Sequence, residues 1–144
     1  MPTIFILNGP NLNLLGQREP HIYGRTTLEE IRGWCEADAA ELGLAVDFRQ
    51  SNFEGEIIEA IHLARDKADG IIINPAGFTF TSIAILDALK MFDKPKIELH
   101  ISNIHQREEI YHHSLVSKTA TAVMAGFGAH GYRLALRAMV EMTR

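Results

Sequence analysis

The chain has 144 residues, of which 47% are hydrophobic and 22% charged, and its formal net charge is −4 at pH 7. This length is typical of one domain, and the absence of a block of like charges argues against binding to nucleic acid or to an anionic membrane. No apolar run reaches the ~18 residues of a membrane span, and the N-terminus lacks a secretion-signal pattern. The single cysteine, Cys35, excludes an internal disulfide and a zinc site built on paired thiolates. We therefore expect a soluble, cytoplasmic protein with no nucleic-acid or membrane partner.

Apolar runs and helical periodicities alternate along the chain. Residues Thr3–Asn8 form an apolar run ended by Gly9-Pro10, which is typical of a strand buried on both faces. Thr27 and Glu30 have the spacing of a capping box, and Gly43 supplies a stop for the helix that follows it. The predicted strands cover residues 3–8, 44–49, 70–74, 96–101 and 121–127, and the predicted helices cover residues 27–42, 57–68, 82–91 and 131–142.

This alternation predicts a parallel sheet covered by helices on both faces, because parallel strands are joined by crossover helices. Five strands favour a flavodoxin-like α/β fold with strand order 2-1-3-4-5, although the order is not fixed by the sequence alone. In the third helix, residues 82–91, we expect Ile83, Leu86 and Leu89 on one face. In the last helix, residues 131–142, we expect Leu134, Leu136 and Met139 to point toward the core.

Polar side chains follow the carboxyl ends of the predicted strands, where open α/β sheets bind ligands. They include Asn11, Asn74 and His100. Glu98 lies two residues before His100, so the two side chains point to the same face of a strand. A carboxylate in that position orients an imidazole and prepares a general acid, whereas the alternative is a core histidine with a satisfied hydrogen bond. The first and third strands do not end in the carboxylate pair that would bind magnesium.

The connection between the first strand and first helix, about residues 9–25, is longer than a βα loop needs. Gly16 and Gly24 enclose a charged segment that contains Arg18 and Tyr23. The pattern is compatible with an active-site lid and equally with a disordered surface loop.

Three other patterns are discounted as functional sites. Residues 126–131 match G-x-G-x-x-G, but too little chain follows to provide the ribose-binding acid of a dinucleotide site, so close helix–strand packing is favoured. His105, His112 and His113 lack a carboxylate or thiolate in a recognised metal-ligand pattern. Cys35 lies on an apolar helix face and is expected to be a buried structural thiol.

Long stretches of the chain resemble the type II 3-dehydroquinate dehydratases. These stretches include residues 7–24, 50–56, 73–75, 81–82, 87–89 and 98–109. The resemblance implies a flavodoxin-like subunit in a homo-dodecamer, a tetramer of trimers, without cofactor or metal. It also implies elimination of water from 3-dehydroquinate to give 3-dehydroshikimate through an enolate, in shikimate synthesis or quinate breakdown.

The resemblance also implies a set of catalytic residues. Tyr23 corresponds to the base, and Arg18 supplies the adjacent positive charge that a tyrosine base needs, since free tyrosine has a pKa near ~10. His100 corresponds to the acid that protonates the departing hydroxyl, Glu98 to the carboxylate that orients it, and Asn11 to a lid residue near the base.

The implied substrate-binding set departs from the family at two positions. Where the family has a histidine and an arginine that hydrogen-bond the ring hydroxyls of the substrate, this chain has Phe80 and Tyr111. Phe80 cannot form such a bond, and an unpaired buried hydroxyl costs on the order of 1–3 kcal/mol. The other implied binding groups are Asn74 and the backbone N–H groups of Ile101 and Ser102 for the carboxylate, Arg107, and Asp87 across a subunit contact.

Three functions remain open from the sequence. The first is an active type II dehydratase, which the complete catalytic set favours. The second is a diverged paralogue that dehydrates a related, less hydroxylated ring acid. The third is a non-catalytic binding or regulatory homologue that keeps the scaffold.

Overall fold

The computed structural model describes residues 1–17 and 19–144 and contains one sheet of five parallel strands. The strand order is β2-β1-β3-β4-β5, which confirms the predicted flavodoxin-like topology. The strands are β1 (Thr3–Asn8), β2 (Ala45–Gln50), β3 (Gly70–Asn74), β4 (Lys96–His100) and β5 (Ala122–Ala125).

Helices cover both faces of the sheet. They are α1 (Pro20–Tyr23), α2 (Leu28–Leu42), α3 (Glu54–Lys67), α4 (Phe78–Thr81), α5 (Ile83–Lys90) and α6 (His130–Met142). Short 3₁₀ helices lie at Leu12–Leu14, Ile104–Gln106, Glu109–Tyr111 and Val116–Lys118. No helix in the described residues is long and apolar enough to cross a membrane.

Two apolar cores lie on opposite faces of the sheet because side chains alternate along each strand. In β1, Ile4 and Ile6 pack on the face that α2 and α6 cover, whereas Phe5 and Leu7 pack on the face that α3 and α5 cover. Burial on both faces holds the central strands rigidly, and their carboxyl ends therefore provide a fixed frame for side chains.

The residues predicted to cap the two ends of α2 do so in the structure. The Thr27 hydroxyl accepts a hydrogen bond from the backbone N–H of Glu30 at 3.2 Å, and the Glu30 carboxylate accepts from the backbone N–H of Thr27 at 3.4 Å. Gly43 ends the helix with a φ of 74°. Each terminal group is thus satisfied by the residue type that the sequence pattern indicated.

Two of the predicted side-chain positions are wrong, because Leu134 does not point toward the core and Ile83 does not share the buried face of Leu86 and Leu89. Ile83 is 63% exposed and Leu134 is 40% exposed. At 3.6 residues per turn, positions two apart lie on opposite sides of a helix, and the buried residues are Ile85 in α5 and Tyr132 in α6. The other predicted core residues of these two helices, Leu86, Leu89, Leu136 and Met139, are buried.

The glycine motif at residues 126–131 serves packing, as expected. A Cβ atom on Gly131 would lie 2.9 Å from Leu99 Cδ1, so the glycine lets α6 lie close to β4 without displacing the Leu99 side chain. The motif therefore explains how the last helix is seated on the sheet.

Candidate active site

The carboxyl ends of β1, β3 and β4 open onto a cavity of about 140 Å³. It contains most of the side chains that the sequence predicted to form the site. The lining residues are Pro10, Asn11, Leu12, Tyr23, Asn74, Ala76, Gly77, Phe80, His100, Ile101, Ser102, Ile104, Arg107 and Tyr111.

His100 and Glu98 form a buried pair at the end of β4. His100 Nε2 lies 2.5 Å from Glu98 Oε2, and the two residues are 5% and 0% exposed. Strand alternation places both side chains on one face, as predicted. His100 lines the cavity, whereas Glu98 does not line it and contacts the imidazole. This arrangement fixes the orientation of the imidazole at the cavity.

Two serine hydroxyls complete the surroundings of Glu98. Ser114 Oγ donates to Glu98 Oε2 at 2.9 Å, and the Ser117 hydroxyl donates to Glu98 Oε1. Burial acts to raise the pKa of Glu98, but the hydrogen bonds from His100, Ser117 and Ser114 and the charge on His100 outweigh it and lower the pKa. Glu98 is therefore held as a carboxylate without access to solvent.

Tyr23 reaches the cavity from the other side, at the end of α1. The guanidinium carbon of Arg107 lies 5.6 Å from the Tyr23 ring centroid, so a positive charge stands over the ring. The predicted charge of Arg18 lies outside the described residues. Asn11 lines the cavity in a left-handed backbone conformation, and its backbone N–H donates to Asn52 Oδ1 at 2.9 Å.

Asn74 is oriented by a buried network that the sequence did not indicate. Its Nδ2 donates to the Tyr132 hydroxyl at 3.0 Å, and that hydroxyl donates to Asn8 Oδ1 at 2.7 Å. The Asn74 Oδ1 accepts from the backbone N–H of Ala76 at 3.2 Å. With Oδ1 turned toward the backbone, the amide of Asn74 presents a donor to an anionic ligand.

Ile101 and Ser102 line the same cavity. Neither of their backbone N–H groups takes part in the backbone hydrogen bonds that the described turns and loops form. Adjacent backbone donors of this kind suit a carboxylate or another anion. With Asn74, these are the residues to which the family resemblance assigns the carboxylate of the substrate, and all three line one cavity.

Phe80 and Tyr111 form an aromatic wall against the acid pair. The Phe80 ring stacks on the His100 ring at 6.2 Å and meets the Tyr111 ring edge-on at 5.3 Å. Arg107 places its guanidinium carbon 3.9 Å from the Tyr111 ring centroid. The wall fixes Arg107 by a cation–π contact and presents mainly apolar surface to a ligand.

Other predicted positions fall outside the cavity. Asp87 is exposed on α5 and does not line it. Cys35 is fully buried, and burial with the nearby charge of Asp38 raises the pKa of its thiol to about 12, in agreement with a structural thiol. Among the described residues, no group of three or more His, Cys, Asp or Glu side chains could hold a metal ion.

Sequence reasoning missed Ser114, Ser117 and Tyr132. Ser114 lies in a loop and Ser117 in the three-residue 3₁₀ helix Val116–Lys118, and both are too short for periodicity to assign a direction to a side chain. Tyr132 has a helical position next to Gly131, but only the tertiary fold shows that its hydroxyl reaches the ends of β1 and β3.

Comparison with known proteins identifies the family. Residues 2–140 match the family model described as dehydroquinase class II. A 3-dehydroquinate dehydratase from Cereibacter sphaeroides is 58% identical over 140 residues, which cover 97% of this chain and 95% of the relative. A catabolic 3-dehydroquinase 1 from Fusarium vanettenii is 57% identical over 134 residues, 93% of each chain. A solved type II dehydroquinase from Propionibacterium acnes superposes with a TM-score of 0.95 at 45% identity, covering 98% of this chain and 97% of that one. The chain belongs to the class II dehydroquinases, a family of 3-dehydroquinate dehydratases.

Proposed function

We propose that the cavity eliminates water from 3-dehydroquinate by general base and general acid catalysis, with Tyr23 as the base and His100 as the acid. The observation that carries this assignment is the buried Glu98–His100 pair, which faces the same cavity as Tyr23. Removing a carboxylate from water is costly even when it is paired. A protein that only binds a ligand would gain nothing from burying Glu98 behind the His100 imidazole.

The proposed reaction has two proton transfers. The Tyr23 phenolate removes a proton from the carbon next to the ketone, and the electron pair moves onto the ketone oxygen to form an enolate. The enolate then collapses to the ketone and a carbon–carbon double bond forms. At the same time the bond between the ring carbon and the departing hydroxyl breaks, and its electron pair goes to the hydroxyl oxygen. The proton of the His100 imidazolium joins that oxygen, so water leaves and 3-dehydroshikimate remains.

The substrate is held by its carboxylate in this proposal. Asn74 and the backbone N–H groups of Ile101 and Ser102 supply donors at one end of the cavity. Arg107 lies beside the Tyr23 ring and, with Arg18 as predicted, supplies positive charge near the phenolate and the developing enolate. Asn11 lies on the same side as the base and is proposed to contact it.

Assembly and location are further parts of the proposal. Residues 1–144 form one catalytic domain with a lid at about residues 9–25, and the charged segment of that lid lies between Gly16 and Gly24, both of positive φ. Twelve subunits associate, and the exposed Asp87 contributes across a subunit contact. The single buried thiol of Cys35 is in keeping with the reducing cytoplasm. Light scattering tests the assembly, and a 16 kDa species would contradict it.

The activity is tested by mixing the purified protein with 3-dehydroquinate and following the ultraviolet absorbance of the conjugated enone product. Tyr23→Phe should reduce the rate about 10²–10⁴-fold, because only the phenolic oxygen is removed. His100→Ala should block water loss while exchange of the α-proton with solvent continues. The exposed His113 lies outside the cavity, and His113→Ala should retain the wild-type rate. Retention of more than a tenth of the rate by Tyr23→Phe would remove Tyr23 as the base.

The aromatic wall favours a second candidate substrate, a ring acid with one hydroxyl fewer. Phe80 has no hydrogen-bonding group and packs on the acid itself, so an apolar edge of a substrate fits there better than a hydroxyl. Phe80→His combined with Tyr111→Arg distinguishes the two substrates. If 3-dehydroquinate is the true substrate, the restored hydrogen bonds should raise its kcat/KM, with a gain in transition-state stabilisation of up to roughly 2–4 kcal/mol. If the deoxy acid is the true substrate, the double variant should lose activity on that acid because polar groups are buried unpaired.

A further inference from the structure

We propose that Ser114 and Ser117 are positioning residues, which hold Glu98 in the charged form and orientation that the His100 acid requires. The inference rests on the proposed function, because it assigns a role to residues that act through the acid. Neither serine lines the cavity, so neither touches the substrate.

The hydrogen bonds of Glu98 carry the argument. Oε2 is shared between His100 Nε2 at 2.5 Å and Ser114 Oγ at 2.9 Å, while Oε1 accepts from the Ser117 hydroxyl. The carboxylate is 0% exposed, so water does not replace these donors. Without the serines, the imidazole would be the remaining donor to a buried anion, and the neutral form of Glu98 would become more favourable.

The segment that carries the serines is firmly placed. Ser114 Oγ accepts from the backbone N–H of Ser117 at 3.1 Å, which sets the two hydroxyls side by side. Between them, Val116 is fully buried in the core, and the backbone N–H of Leu115 donates to Thr79 O at 2.9 Å. The donors therefore approach Glu98 in a fixed geometry and lose little conformational entropy when they bond.

The ionisable groups around Glu98 and His100 determine which titrations can affect the activity of the variants. His100 is the titratable group in contact with Glu98. The strands beside it place Ile73 and Val123 next to Glu98, and neither is ionisable. On the cavity side of His100, the described ionisable groups are Tyr23, Arg107 and Tyr111. A change at the serines that alters the ionisation of Glu98 should therefore act through His100.

Ser117→Ala is the principal variant, because Ser114 also supports the local turn. Each serine bond favours the charged carboxylate, so its removal should raise the pKa of Glu98 and move the acidic limb of the kcat profile to higher pH. We expect kcat to fall about tenfold with KM little changed, the size of one hydrogen bond to a charged group. Ser117→Thr keeps the hydroxyl and should recover most of the rate. Thr119→Val is a matched control, since it removes a hydroxyl bonded to the buried Lys96 at the opposite end of β4 and should leave kcat unchanged.

A double-mutant cycle with Glu98→Gln separates positioning from general structural damage. The effect of Ser117→Ala on kcat should largely disappear in the Glu98→Gln background. The same loss in both backgrounds, or an acidic limb that does not move, would overturn the proposal.

A second measurement does not depend on activity. Thermal unfolding as a function of pH should show a smaller acid loss of stability in Ser117→Ala than in the wild type, because the raised pKa of Glu98 lies nearer to its pKa in the unfolded chain. This difference should vanish with Glu98→Gln. Such a result in a protein inactive on 3-dehydroquinate would refute the proposed function but keep the carboxylate assignment. Identical pH dependence in an active protein would refute the assignment of the serines alone.

Discussion

Replacing Gly9 with alanine should damage both stability and catalysis, because the backbone after β1 lies directly against the backbone after β3. A Cβ atom on Gly9 would lie 2.3 Å from Pro75 O and 2.7 Å from Pro75 C. Cβ atoms essentially never lie within 3.0 Å of a non-bonded heavy atom, so one backbone must move by about 1 Å. The backbone N–H of Gly9 also donates to Asn74 O at 2.8 Å, and this bond would be strained by the movement.

The loss of stability in Gly9→Ala depends on whether the atoms that the new Cβ contacts can move away. Overpacking costs typically 1–3 kcal/mol when side chains can adjust, and here the contact atoms belong to the main chain. We therefore expect Gly9→Ala to lower the free energy of unfolding by about 3 kcal/mol. The displaced residues next to Pro75 include Asn74 and Ala76, which line the cavity. A misplacement of about 1 Å should reduce kcat/KM about 10²-fold.

Urea unfolding and the dehydratase assay test this prediction together. Gly55→Ala is the matched control, since no atom lies within 4 Å of its Cβ position in α3 and alanine favours helix by ~0.5–1 kcal/mol. The control should be at least as stable as the wild type, with unchanged kcat/KM. Wild-type stability and activity in Gly9→Ala would show that the two backbones separate freely, and the rigid-frame argument would fail.

Three further predictions concern buried groups. Asp38→Asn should cost about 1–2 kcal/mol at pH 7, because Arg133 holds the carboxylate at 2.8 and 3.0 Å and lowers the pKa of Asp38. This cost should shrink as the pH falls below 3.8 and the carboxylate protonates, as pH-dependent unfolding would show. Cys35, whose pKa is raised to about 12, should be alkylated by iodoacetamide at least about a thousandfold more slowly in native than in urea-unfolded protein, measured by mass spectrometry. Tyr132→Phe should destabilise the fold by about 1–3 kcal/mol and raise KM, because Asn74 loses the acceptor that orients it.

The regular elements were predictable because local physical signals determine them. The β-branched run of residues 70–74 and the capping box at Thr27 each carry a strong preference, and each appears with the expected bounds. Strand alternation was sufficient to pair Glu98 with His100. The errors at Ile83 and Leu134 arise in helices where both faces carry apolar side chains, so periodicity alone does not select the buried one.

The rest of the site depends on contacts between distant segments. Ser117 approaches Glu98 from a short 3₁₀ helix between β4 and β5, and Tyr132 reaches Asn74 across 58 positions of the chain. No local preference encodes either approach. The roles assigned to the cavity residues rest on the resemblance to a family. The hydrogen bonds that hold these residues in place are visible only in the structure.

The two departures from the family pattern lie on elements different from those that hold the acid. Phe80 is part of α4 and Tyr111 ends a short 3₁₀ helix, whereas His100 and Asn74 end buried strands. The strand ends are tied together by buried networks, and a change there would leave charged or polar groups without partners. The aromatic wall is held by ring packing, which tolerates exchange of residues of similar shape. Under the proposed mechanism, substrate preference can therefore change at the wall while proton transfer is preserved, which accounts for Phe80 and Tyr111 beside the Glu98–His100 pair.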